Sequence, residues 1–230
     1  MSDFSDWTES YTQVASLSGD TPDWTQMASI VGGGGGGTDN ATILDFALDG
    51  SWVQTVPWSL TFATSGYING QVTLGVITVL KSITVTKTIV NVNSANAVVA
   101  DENYIGLYSW AKATGDLTLV GATAAGACDS SFSATNAVFA SINLSASVVL
   151  SAGVTYYGAI LTNATVAGTP PVFSQIPSGY LSHTTTPAGA PLYGTSIATN
   201  LTALPATILA AAWSPNAYPG PGIPQLAFSP

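Results

Sequence analysis

The chain has 230 residues, 47 % of them hydrophobic and only 7 % charged, with a formal net charge of −9; an average soluble protein carries roughly 25 % charged residues. That length suits one all-β domain with extensions or two small domains. Three lysines and no arginine leave no basic footprint to neutralise phosphates, which argues against nucleic-acid binding.

Residues 1–31 read as an acidic, aromatic arm. Eight of the twelve acids lie in the first fifty residues (Asp3, Asp6, Glu9, Asp20, Asp23, Asp39, Asp45 and Asp49), and no lysine precedes Lys81. Charge alone leaves two readings open: docking on a basic partner surface, or a solvated acidic tail. Trp7, Tyr11 and Trp24 favour a segment that orders on a neighbour, because an arm without hydrophobes has nothing to bury. These three are the candidate partner-binding residues. The opening MSDFSDWTES has no basic and apolar stretch of the signal-peptide kind.

Gly32 to Gly37 form an unbroken run without the Gly-Lys-Ser/Thr ending of a phosphate loop, so residues 32–40 read as a glycine-rich linker. From 41 to 168 the pattern is β. Asn69-Gly70 is a hairpin signal, and a turn is expected at Ser65-Gly66. Gln71 to Val92 is rich in Val, Ile and Thr, which fit a pleated sheet. Ile83 and Val85 share one parity while Val90 and Val92 share the other, so a bulge is expected near Lys87.

Ile105 and Leu107 face one way in the next strand, and Tyr104, Tyr108 and Trp110 the other. A turn at Ala113 to Asp116 leads to Leu117–Val120, and a small-residue loop over 121–136 holds the single cysteine, Cys128. Val138, Ala140, Ile142 and Leu144 alternate, and Ser151-Ala152-Gly153 turns into a strand containing Tyr156 and Tyr157. Short strands at this spacing predict a jelly-roll-like β-sandwich. Beyond residue 168, eleven prolines define a proline-rich extended tail, 169–230, expected to be coil with strand fragments wrapped over its own domain or a neighbour.

Over residues 78–174, Tyr104-Ile105-Gly106-Leu107-Tyr108, the strand Leu117 to Val120, and the Leu150, Ala152, Gly153, Tyr156, Tyr157 pattern resemble a β-sandwich module of surface proteins from bacteriophages of actinobacteria. The resemblance implies a virion structural protein, either head decoration or minor tail protein. It would sit on the particle surface, contacting major capsid or tail proteins and a host surface glycan. It also implies a homo-oligomer, a trimer first. It brings no catalytic residues.

Catalytic patterns are lacking. His183, the only histidine, is more than fifty residues from the nearest acid, and no Gly-x-Ser-x-Gly elbow occurs. Asp101-Glu102 would point to opposite faces of a strand, and Asp116 reads as a turn cap. A lone cysteine makes neither a disulfide nor a cysteine-based zinc cluster, and Cys128 reads as a packing residue. Asp45 and Asp49 could bind a structural calcium, without an EF-hand string. No cofactor and no membrane span are expected, since no apolar run reaches ~18 residues. Trp110 is the candidate ligand-stacking residue of the alternative reading, a carbohydrate- or host-receptor-binding module. In that reading Tyr104 and Tyr108 extend the platform; otherwise the three line a core.

Overall fold

The computed structural model describes residues 52–55, 63–79, 81–94, 96–134, 138–166, 170–176, 189–215 and 222–230. All lie in the second of two units, Ala47–Pro230. The arm, the glycine run, Asp45, Asp49 and His183 fall outside the described residues.

Alternation of β-branched and aromatic residues with polar ones, broken at Gly, Asn and Asp, produces strands throughout. In chain order they are β1 (Val53–Gln54), β2 (Ala63–Gly66), β3 (Val72–Thr78), β4 (Ile83–Ser94), β5 (Tyr104–Trp110), β6 (Leu117–Ala122) and β7 (Val138–Leu150). Then follow β8 (Thr155–Leu161), β9 (Val172–Ile176), β10 (Tyr193–Ser196), β11 (Thr207–Ile208), β12 (Trp213–Pro215), β13 (Ile223–Pro224) and β14 (Leu226–Ser229). A one-turn helix, α1 (Asp129–Phe132), precedes β7. No described helix is long and apolar enough to cross a membrane.

The strands form two antiparallel sheets. The first runs β11-β6-β5-β8-β3-β10-β12. The second runs β1-β14-β4-β9-β13, with β7 paired to β4 and β2 to β9. An all-β, two-sheet architecture therefore stands. The sheets pack through Ile77, Ile105, Leu107, Tyr156 and Ile160 from the first and Val85, Val90, Ile142, Leu150, Phe173, Leu226 and Phe228 from the second. Tyr67 stacks on Phe173 at 5.5 Å, and Phe132 meets Phe173 edge-on at 4.9 Å.

The expected parity switch is present: the β4–β7 register shifts between Val85 and Lys87. The turn at Ala113 to Asp116 joins β5 to β6, with Gly115 at φ +80° and its N–H donating to Ala111 O at 2.7 Å. Asn69-Gly70 does turn, with Gln71 N–H donating to Ile68 O at 3.1 Å, but it does not close a hairpin. Its flanking strands sit in different sheets, β2 on β9 and β3 between β8 and β10. A turn dipeptide reverses the chain; which sheet each strand joins is decided by the apolar face it must bury. Ser65-Gly66, expected as a turn, instead ends β2, paired with Phe173 and Val172 of β9.

The proline-rich segment does contribute strand fragments. β10 and β12 extend the first sheet. β13 and β14 enter the second, where β14 lies between β1 and β4. Thr55 fastens this insertion: its Oγ1 donates to Pro224 O and accepts the Leu226 N–H at 3.0 Å. Pro224 sits at the end of a two-residue strand, where a missing N–H is tolerated.

Candidate functional site

Period-2 alternation gives the first sheet a second apolar face, turned away from the inter-sheet core. Val72, Leu74 and Val76 from β3, Tyr157, Ala159 and Leu161 from β8, Tyr108 from β5 and Leu117 from β6 are all buried there. Register places them together, with Tyr108 opposite Tyr157 and Tyr104 opposite Leu161. This is the face that carries the candidate platform Tyr104, Tyr108 and Trp110.

Apolar groups on one side of a sheet must be covered, and here the chain covers them itself. Leu192, Leu201, Leu204, Ile208, Ala212 and Trp213 pack across the face. Trp213 meets Tyr157 edge-on, with ring centroids 5.6 Å apart. Its indole N–H donates to Gly115 O at 3.2 Å. Two glycines permit this closeness. A Cβ added at Gly106 would lie 2.5 Å from Leu204 Cδ1, and one at Gly194 would lie 2.5 Å from the Trp213 ring.

Polar groups tie the cover down at both ends. The Tyr108 hydroxyl donates to Pro205 O at 2.8 Å, and the Tyr157 hydroxyl to Pro191 O at 2.5 Å. Asn163 Nδ2 donates to Leu201 O at 2.8 Å, and Leu119 N–H to Ala206 O at 2.9 Å. Asp116 Oδ1 accepts the Ala210 N–H at 2.7 Å, at the start of the 3-10 turn Ala210–Ala212. Asp116 is thus a cap, but of a turn 94 residues away rather than of its own. Burial pushes the hydroxyls of Tyr108 and Tyr157 well above the ordinary tyrosine value.

The aromatic platform is accordingly a core under the chain's own cover. Tyr108 is fully buried, while Tyr104 and Trp110 are half-buried against the same cluster. Trp110 ends β5; its Nε1 is buried and has no hydrogen-bond partner among the described residues. The arm candidates Trp7, Tyr11 and Trp24 lie outside the described residues.

The acids at the head of β5 are structural. Asp129, expected in a loop, instead opens α1. Its carboxylate accepts the Asp101 N–H at 2.8 Å and Asn103 Nδ2 at 2.9 Å, holding Asp101 in the left-handed region at φ +64°. Cys128 is buried; desolvation pushes its thiol up to about 12, against a hydrogen bond with Thr123 that pulls the other way. A thiol so raised is not a nucleophile near neutral pH. Among the described residues no group of three His, Cys, Asp or Glu side chains could hold a metal ion.

No family model matches the chain, and no curated protein matches it. Contrary to what the resemblance implied, nothing in these comparisons gives the chain a viral, virion, capsid-decoration or minor-tail identity. The covering residues Leu204 and Trp213 were not legible as site residues. Their segment was known only as proline- and aromatic-rich, a composition that fits covering a neighbour as well as covering itself.

Proposed function

We propose that this chain is a non-enzymatic structural protein that acts by assembly, as a rigid β-sandwich displayed on the outside of a multi-protein particle. The observation that carries this reading is the double burial of the first sheet. The chain uses its C-terminal aromatic residues to complete its own body, and the acidic, aromatic composition of residues 1–31 suits docking on a partner. A body with so few charges suits extended contact with neighbours better than life as a free monomer. The inert thiol of Cys128 and the structural engagement of Asp116 and Asp129 support a role without bond chemistry.

The jelly-roll-like description belongs to the same proposal. It is supported by the repeated passage of the chain between sheets, from β3 to β4, β4 to β5, β6 to β7, β7 to β8 and β8 to β9. The test is immunogold labelling of purified particles with an antibody to residues 41–168, with polysaccharide pull-down run in parallel. Label on a particle surface is the expected result. Protein that never accompanies a particle, but binds polysaccharide through Trp110, would replace this reading with the carbohydrate-binding one.

A further inference from the structure

Register gathers the starts of β3 and β5 and the ends of β8 and β10 at one end of the body. Val72 and Tyr104 both lie opposite Leu161, and Thr195 lies opposite Thr73. The loops at this end are tied to one another. Asn69 Nδ2 donates to Ala164 O at 3.4 Å, Gly70 N–H to Thr162 O at 3.0 Å and Leu201 N–H to Gly70 O at 2.9 Å. Gln71 Nε2 donates to Ser196 O at 2.6 Å, and Asn163 Nδ2 donates to Leu201 O at 2.8 Å and to Glu102 O at 3.3 Å. Ile68 and Ile197 stand on this frame 54 % and 60 % exposed, and Val166, two residues beyond Ala164, is 61 % exposed. So exposed, these branched side chains add little to the core; gathered at one end, they make an interaction surface.

The described charges divide between the two ends. Asp101, Glu102 and Asp129 stand at this one, beside the start of β5. Lys81 and Lys112 follow the far ends of β3 and β5, with Asp116 nearby, and Lys87 lies within β4. The Asp129 carboxylate accepts the Asp101 N–H at 2.8 Å, which sets the two acids side by side. The Tyr104 hydroxyl registers their field: desolvation raises it, and the charges of Asp101, Asp129 and Glu102 raise it further.

We propose that this end of the body docks a basic, apolar stretch of a partner polypeptide. Ile68 and Ile197 take its apolar side chains, and Asp101, Glu102 and Asp129 face its cations; the inference rests on the assembly reading and names one contact of it. Charge selects the occupant. Three carboxylates, with no lysine among the described residues of this end, attract cations and repel an anionic bilayer. The tied loops hold both isoleucines in place before the partner arrives, which lowers the ordering cost of docking.

The test uses the full chain and a fluorescent peptide of alternating lysine and leucine, titrated by anisotropy. Ile68→Ser combined with Ile197→Ser removes the apolar part of the surface, and Glu102→Gln removes one charge. Leu209→Ser, at a position 58 % exposed beside the Asp116 end, is the control. Circular dichroism checks that each variant keeps its fold. The double variant is expected to weaken binding by about tenfold. Glu102→Gln is expected to weaken it by about twofold and to make its salt dependence shallower, and Leu209→Ser to leave it unchanged. A peptide of alternating lysine and serine is expected to bind about tenfold more weakly than the leucine peptide. Binding indifferent to the double variant overturns this surface and leaves the assembly reading standing; the peptide then sits on other acids, eight of which lie in the first fifty residues. A chain that ignores the peptide but, through Ile68 and Ile197, sediments with phosphatidylcholine vesicles or self-associates in light scattering also overturns it. No binding of the peptide at all does the same, and particle labelling then decides the assembly reading separately.

Discussion

Replacing Trp213 by alanine tests whether the C-terminal segment is part of the core or merely lies on it. Trp213 is 4 % exposed, rests on the bare backbone of Gly194, meets Tyr157 edge-on and donates to Gly115 O. Truncating a buried tryptophan costs about 3–5 kcal/mol. A chain of this size loses about 2–4 °C of Tm for each kcal/mol, so the expected fall is about 6–20 °C. Urea unfolding followed by far-UV circular dichroism gives the free energy, and dye binding to exposed apolar surface reports whether Tyr108 and Tyr157 are uncovered. Trp213→Phe keeps a ring against Gly194 but loses the indole N–H, and should cost about 1 kcal/mol from that bond plus the smaller fill. A Trp213→Ala loss under about 1 kcal/mol, without dye binding, refutes the idea that this segment completes the fold.

Three further outcomes follow from the packing and hydrogen bonds of the same body. Gly106→Val should destabilise by about 1–3 kcal/mol, because the new side chain displaces Leu204, and Leu204→Ala should restore part of the loss in a double-mutant cycle. Trp110→Phe should leave stability level or slightly raised in urea titrations, since it removes a buried N–H that has no partner among the described residues. Asn69-Gly70 should deamidate slowly in the folded chain and quickly in urea by mass spectrometry. Asn69 Oδ1 accepts the Ala164 N–H at 3.2 Å, and the Gly70 nitrogen that would attack donates to Thr162 O at 3.0 Å.

Alkali supplies the pH test. Burial raises the Cys128 thiol from 9.0 to about 12 and raises the hydroxyls of Tyr67, Tyr108 and Tyr157 from 10.0. Between the unfolded and folded values the unfolded chain has released protons that the folded chain retains, so unfolding is favoured as pH rises. The urea midpoint should hold up to about pH 9 and fall steadily above it, first with the thiol and then with the phenols. A midpoint unchanged up to about pH 11 would show that these groups are not sealed in the folded state.

The sequence by itself determined the all-β character, because Val, Ile, Thr and aromatic alternation has no helical face to offer. It also placed the bulge near Lys87, the Ala113–Asp116 turn and the two faces of β5, each of which depends on local parity or on a residue's backbone preference. Those signals are carried by neighbours in the chain. What only the tertiary structure decided is which sheet each strand joins and what lies over each face. Asn69-Gly70 reverses the chain, yet leads from β2 in one sheet to β3 in the other. In the sequence the outward side of β5 reads as a core ahead of a binding platform, without showing what would cover it. It is a core because residues roughly a hundred positions later, from Leu201 to Trp213, lie over Tyr108 and Tyr157. Proline and aromatic content say that such a segment needs a surface to cover. The sequence does not say whose surface, since that depends on shape matches such as Leu204 on Gly106 and Trp213 on Gly194, which come into being only when the sheet has formed.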